Sequence, residues 1–150
     1  MADCELAQLN VGIIRGPMDS PVMADFAAAL ARINAIADAS PGFVWRLQTE
    51  AGDATALRPT DNPNLLVNMS IWRDLASLRA YVYHSEHAAL MRRRREWFEH
   101  MPALFLVLWW VPQGHHPDVS EAMTRLELLR AGGPTPQAFT FRESFPAPVR

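Results

Sequence analysis

What most constrains this chain is the order in which two apolar periods follow each other along it. Residues 5–14 alternate, with Ala7, Leu9, Val11 and Ile13 apolar and Gln8, Asn10 and Gly12 polar or small, which is the period-two signature of a strand. After the break at Gly16-Pro17, Ser20-Pro21 marks a helix start, with Ser as the cap and Pro in the first turn. Met23, Phe26, Ala27, Leu30, Ile33 and Ala37 then recur at three- and four-residue spacing until Ser40-Pro41-Gly42. Alternation returns over residues 43–49, placing Phe43, Trp45 and Leu47 opposite Val44, Arg46 and Gln48. Residues 50–63 are polar and turn-rich, a loop.

Residues 64–72 alternate again, with Leu65, Val67, Met69 and Ile71 on one face and Leu66, Asn68, Ser70 and Trp72 on the other. Asp74 is placed to cap a helix with Leu75, Leu78 and Val82 as its buried stripe, and residues 85–98 carry Leu90, Met91 and Phe98 on one face. Whether these are one kinked helix or two stays open. Residues 103–111 are apolar on both faces, as expected of a central strand ended by Pro112. Asp118 or Ser120 then caps a last helix bearing Met123, Leu126 and Leu129, closed at Gly132-Gly133-Pro134, and the aromatic tail 139–145 suits a sheet edge. The order β-α-β-β-α-β predicts an α+β, ferredoxin-like fold: a four-stranded antiparallel sheet with helices on one face and an extra C-terminal helix and tail from about residue 113. With 150 residues and no repeat or long linker, residues 1–150 read as a single domain.

Composition narrows the chemistry. All 14 cationic side chains are arginine, which excludes a lysine Schiff base and a Walker A loop. Cys4 is the only cysteine, so neither an internal disulfide nor a multi-cysteine zinc site can form. A formal charge of −2 offers no basic field, so neither nucleic acid nor an anionic membrane is expected as a partner. No apolar run is long enough for a spanning helix and the first residues do not read as a signal peptide, so the expected location is cytoplasmic.

With helices expected on one sheet face only, the other face, rich in Leu, Val, Met and Ile, would aggregate if left bare. A second copy packed sheet to sheet would cover it, giving a homodimeric closed barrel; the alternative cover is the C-terminal helix and tail.

Polar residues on otherwise apolar faces are the candidates for function. Strand parity groups Asn10, Asn68, Ser70 and Trp72 on such faces. If residues 84–98 form one continuous helix, steps of three and four put His84, His87 and Arg94 on its buried side, while Arg92, Arg93 and Arg95 fall to the flanks. Tyr83 sits beside them, and Trp45 and Trp109 offer stacking surfaces for a ligand. Each also has a plain structural role open to it: a core tryptophan, a hydrogen-bonded core histidine or amide, an arginine paired to a glutamate. His84-x-x-His87 and His115-His116 could ligate a metal, but no carboxylate completes a set, so no metal is assigned.

The segments "LAQLNVGIIRGPMDSPVMADFAAALARINAIADASPGFVWRLQTE", "NLLVNMSIWRDLASLRAYVY", "HSEHAALMRRRREWF", "LVLWWVPQGHHP" and "LRAGGPTPQAFTFRESFP" together resemble the DUF3291 family of bacterial proteins along nearly the whole chain. The resemblance brings no established reaction. It implies membership of the dimeric α+β barrel superfamily, which includes antibiotic-biosynthesis and haem-degrading monooxygenases. Haem-degrading members carry an Asn on the first strand, a Trp ending the third and a His on the following helix. Asn10, Trp72 and either His84 or His87 stand at comparable places. Cofactor-free members use Asn and Trp with an aromatic substrate that activates oxygen itself, which Asn68 and Trp72 would suit.

Two functional readings follow. In the first, a monooxygenase-like enzyme holds a small aromatic or polycyclic molecule, or haem, between sheet and helices. Asn10, Asn68, Trp72 and His84 or His87 would serve as catalytic residues, and Trp45, Ser70, Tyr83, Arg94 and Trp109 would bind substrate. Here His84 or His87 is a base or, with haem, an axial ligand, and Arg94 holds an anionic group. The cofactor is therefore none or haem. In the second reading the same pocket is a non-catalytic ligand-binding or structural module.

Overall fold

The computed structural model describes residues 4–48 and 62–148, so most of the expected 50–63 loop and the end of the second strand lie outside the described residues. The elements are β1 (Cys4–Ile13), a 3-10 turn (Pro21–Met23), α1 (Ala24–Ala39), β2 (Phe43–Arg46), β3 (Leu65–Trp72), α2 (Leu75–His84), α3 (Glu86–Arg92), α4 (Arg94–Trp97), β4 (Leu106–Pro112) and α5 (Val119–Gly132). The strands form a four-stranded sheet in the order β2-β3-β1-β4, antiparallel at each pairing, so the ferredoxin-like α+β architecture stands.

Register sets what each face carries. Asn10 opposes Asn68, Gln8 opposes Ser70 and Leu6 opposes Trp72, so the polar residues of β1 and β3 share one face. Ala7, Leu9 and Val11 lie on the other face with Ile71, Met69 and Val67, and with Trp109 and Val107 of β4. In β2 the sequence-based parity fails. A bulge between Phe43 and Trp45 puts Phe43 opposite Trp72 but Trp45 opposite Ile71, so these two rings occupy opposite faces.

Helices α1 to α4 lie over the polar-flecked face. Asp74 caps α2 by accepting from Ser77 N at 2.8 Å, and Asp118 caps α5 by accepting from Glu121 N at 2.8 Å. Ser20 makes no side-chain cap bond, and the chain instead enters α1 through the 3-10 turn. The helical region 75–97 is not continuous. Ser85 is extended (φ −118°, ψ −176°), and its hydroxyl donates to Tyr81 O and accepts from His87 N. That break resets the helical phase between His84 and His87.

The second sheet face is covered from within the chain. Ala122, Leu126 and Leu129 of α5 are 0%, 0% and 1% exposed, packed with Leu9, Val107, Trp109 and Met69. Burying a leucine this way contributes roughly 1.5–3 kcal/mol. The expectation of a homodimer rested on that face being bare. With α5 on it, sheet-to-sheet pairing there would require the helix to leave. The tail meets β4 at its outer edge, where Leu108 and Phe139 exchange both backbone hydrogen bonds at 2.8 Å. Among the described residues, no helix is long and apolar enough to cross a membrane.

Candidate active site

A cavity of about 120 Å³ opens between the polar-flecked sheet face, α1 and α3–α4. Its floor is Asn10, Gly12, Leu66 and Asn68; Leu30, Ile33 and Asn34 of α1 form one wall, and His87, Leu90, Met91 and Arg94 form the other. A smaller chamber of about 50 Å³ adjoins it, lined by Gln8, Ser70, Leu78, Val82, Phe105, Leu106 and Phe141. Asn10, Asn68, Tyr81, His87, Met91 and Arg94 line both chambers and so form the waist between them.

The floor is a hydrogen-bonded ladder. Gln8 Nε2 donates to Asn68 Oδ1 at 2.7 Å and to Ser70 Oγ at 2.8 Å, while Gln8 Oε1 accepts from Asn10 Nδ2 at 3.1 Å. Asn10 Nδ2 also lies 3.3 Å from Asn68 Oδ1. Gln8 is 4% exposed and Ser70 7%, so these bonds lie where an unmade one would be costly. Asn34, buried on α1, makes no side-chain hydrogen bond among the described residues and presents a third amide to the larger chamber.

His87 faces the ladder from α3. Its Nδ1 is buried without a hydrogen-bond partner among the described residues. Burial pushes the imidazole below its ordinary pKa, against a smaller upward pull from the Val82 backbone. The ring is therefore neutral near pH 7. Tyr81 stands behind it, ring centroids 4.9 Å apart, and Trp72 stacks on Tyr81 at 5.0 Å, which makes a row of three rings running from the core to the cavity. Burial pushes the Tyr81 phenol up, so it remains protonated.

Arg94 enters the waist from α4. Its guanidinium lies over Phe98 at 4.8 Å and Phe105 at 4.2 Å, and Nη2 donates to Val11 O at 3.2 Å. No carboxylate pairs with it among the described residues, and burial pushes its pKa down, though a guanidinium stays charged. Gly12 makes room for this arrangement: a Cβ there would fall 2.5 Å from Phe98 Cδ1 and 3.2 Å from Arg94 Nη2.

The structure thus brings Asn10, Asn68, Ser70, His87 and Arg94 together around one hollow. It does not bring the other sequence-based candidates there. Trp72 is 0% exposed and sealed behind Tyr81, its Nε1 donating to Ser70 Oγ at 2.8 Å. Trp45 and Trp109 lie on the α5 side of the sheet; Trp45 stacks on His116 at 4.6 Å, and Trp109 Nε1 lies 3.4 Å from Glu121. Trp110, on the cavity side, is held by the tail through Nε1 to Phe145 O at 2.8 Å. His84 and Tyr83 are exposed at the end of α2, because the break at Ser85 ends the phase that would have turned His84 inward. Among the described residues, no group of three His, Cys, Asp or Glu side chains could hold a metal ion.

Gln8, Asn34 and Tyr81 were missed as site residues. Gln8 had a signal, since strand parity sets it on the same face as Asn10. Asn34 and Tyr81 sit among apolar neighbours on helices, and only the crossing of α1 and α2 over the sheet turns them toward the hollow.

The family profile for a domain of unknown function, DUF3291, matches residues 5–150. The chain belongs to the DUF3291 family. No curated protein matches it. A crystal structure of a point mutant of SnoaB, a cofactor-independent oxygenase from Streptomyces nogalater, superposes with a TM-score of 0.50 at 20% identity, covering 77% of this chain and 97% of that one. PA3566 from Pseudomonas aeruginosa gives a TM-score of 0.49 at 14% identity over 77% and 99% of the two chains. The likeness to the SnoaB structure concerns the fold alone, an antiparallel sheet with helices packed on it.

Proposed function

We propose that this DUF3291 protein is a small cofactor-independent oxygenase acting on a single-ring-sized aromatic molecule bound between sheet and helices. The observation that carries this reading is that the His87 imidazole and the amides of Asn10 and Asn68 line the same cavity. A neutral imidazole suits a general base: it takes a proton from an acidic C–H of the ring substrate. The electron-rich anion left behind adds dioxygen, one oxygen atom ends as a carbonyl on that carbon, and the other leaves as water. The amides of Asn10 and Asn68 donate to the substrate oxygen that gains charge. The fold shared with SnoaB agrees with this class of chemistry but fixes no substrate.

Size argues for one ring and against haem. An engineered apolar cavity of roughly 150 Å³ holds benzene, and the larger chamber here is about 120 Å³. A porphyrin, with four pyrrole rings, exceeds that volume, so no step is assigned to haem.

Dioxygen uptake tests the reading. An enolisable phenolic ketone of one ring should be consumed with one equivalent of oxygen. His87→Ala should slow kcat by about 100-fold or more, the usual contribution of a positioned general base. Uptake unchanged in His87→Ala would overturn the proposal. The competing reading, a module that binds without chemistry, is favoured by the sealed position of Trp72, which leaves that ring no contact with a ligand. Tight binding without any oxygen uptake would select it.

A further inference from the structure

The smaller chamber has hydrogen-bond donors without acceptors. Ser70 Oγ already accepts from Gln8 Nε2 and from Trp72 Nε1, both at 2.8 Å. Neither of those nitrogens can accept in return, so the Ser70 hydroxyl hydrogen is left over. Asn68 spends its oxygen on Gln8 and Asn10 and is itself exposed, so its Nδ2 is open to an incoming ligand. Arg94 uses Nη2 on Val11 O and has no counter-anion among the described residues. Donors therefore meet at the smaller chamber from the sheet and from α4, and one of them is a half-buried cation.

Unmet donors beside a cation define what fits. A neutral amide or ester would fill the space but leave the guanidinium charge uncompensated. A carboxylate brings two oxygens with four lone-pair directions and one negative charge, which matches a guanidinium on one side and a hydroxyl and an amide N–H on the other. The chamber's volume of about 50 Å³ exceeds the roughly 10–15 Å³ that admits one water. It leads into the larger chamber, where Leu30, Ile33 and Leu90 offer an apolar bed for a ring.

We propose that the inner chamber is a carboxylate subsite, and that the ligand of this protein is an aromatic carboxylate whose ring lies in the outer chamber and whose carboxylate is held by Arg94, Ser70 and Asn68. This rests on the cavity being a ligand site, as proposed above, but not on the oxygen step.

The test is calorimetric titration of benzoate and of benzamide into the protein under anaerobic conditions. Benzoate should bind about 10–100-fold more tightly than benzamide, as expected for hydrogen bonds to a charged group. The preference should vanish in Arg94→Gln and shrink in Ser70→Ala, with circular dichroism confirming that both variants are folded; if Arg94→Gln does not fold, Arg94→Lys should weaken benzoate while leaving benzamide unchanged. Equal affinity for the two probes, no binding of either, or a preference surviving in the folded Arg94 variant would overturn the subsite. Because oxygen is excluded, a failed oxygenase reading leaves this result intact, and uptake with neutral rings only would sink the subsite but not the oxygenase.

Discussion

Trp72 Nε1 donates to Ser70 Oγ at 2.8 Å, and this one hydroxyl also receives Gln8 Nε2 at 2.8 Å. A single small side chain therefore fixes both the indole behind the cavity and the amide ladder on its floor. Trp72 has no exposed surface, so its N–H cannot turn to water instead.

Ser70→Ala removes the one hydrogen-bond partner that indole has among the described residues. The cost of one buried unsatisfied donor is about 1–3 kcal/mol. At about 2–4 °C per kcal/mol for a chain of this size, Tm should fall by several degrees. Ser70→Thr, which keeps the hydroxyl, should lose much less. Differential scanning calorimetry of the pair separates the hydrogen bond from the change in size.

Gly12→Ala places a methyl 2.5 Å from Phe98 Cδ1. Overpacking of this kind costs about 1–3 kcal/mol. The shifted ring carries Arg94 with it, so benzoate affinity should fall alongside Tm. Gly132→Ala, where a Cβ meets nothing within 4 Å, should leave both unchanged.

Leu126→Ala empties a fully buried position between α5 and the sheet. The expected loss is about 2–5 kcal/mol. If a second subunit covered that sheet face in place of α5, chemical denaturation would show a much smaller loss.

The pH dependence of stability follows from His87. Burial holds its folded-state pKa below the unfolded value of 6.5, so the unfolded chain binds the extra proton first as pH drops. Stability is whole above pH 6.5 and declines as pH falls from there through the lowered folded-state value. His87→Phe should flatten that decline in urea midpoints measured between pH 5 and pH 7.

The strand and helix order was legible because each apolar period is set by local geometry. Parity puts Asn10 on the polar-flecked side of its strand and Asn68 and Ser70 on that of theirs, and the register of β1 with β3 turns those sides to one face. Parity failed at Trp45, because a bulge adds a residue that no alternation pattern reveals. Helical phase failed at His84 because Ser85 binds backbone groups on both sides and interrupts the helix. The cover of the second face is not legible in the sequence, since the stripe of Met123, Leu126 and Leu129 does not say which surface it meets. The contacts of Tyr81 and Asn34 depend on helix crossing, which sequence spacing does not encode.

The most direct measurement is the nitrogen-15 spectrum of the histidine side chains during titration with benzoate. The expected result is a large shift of His87 Nδ1 on binding, with His84, His100, His115 and His116 unmoved. A silent His87 signal while benzoate binds would contradict the placement of that imidazole at the ligand.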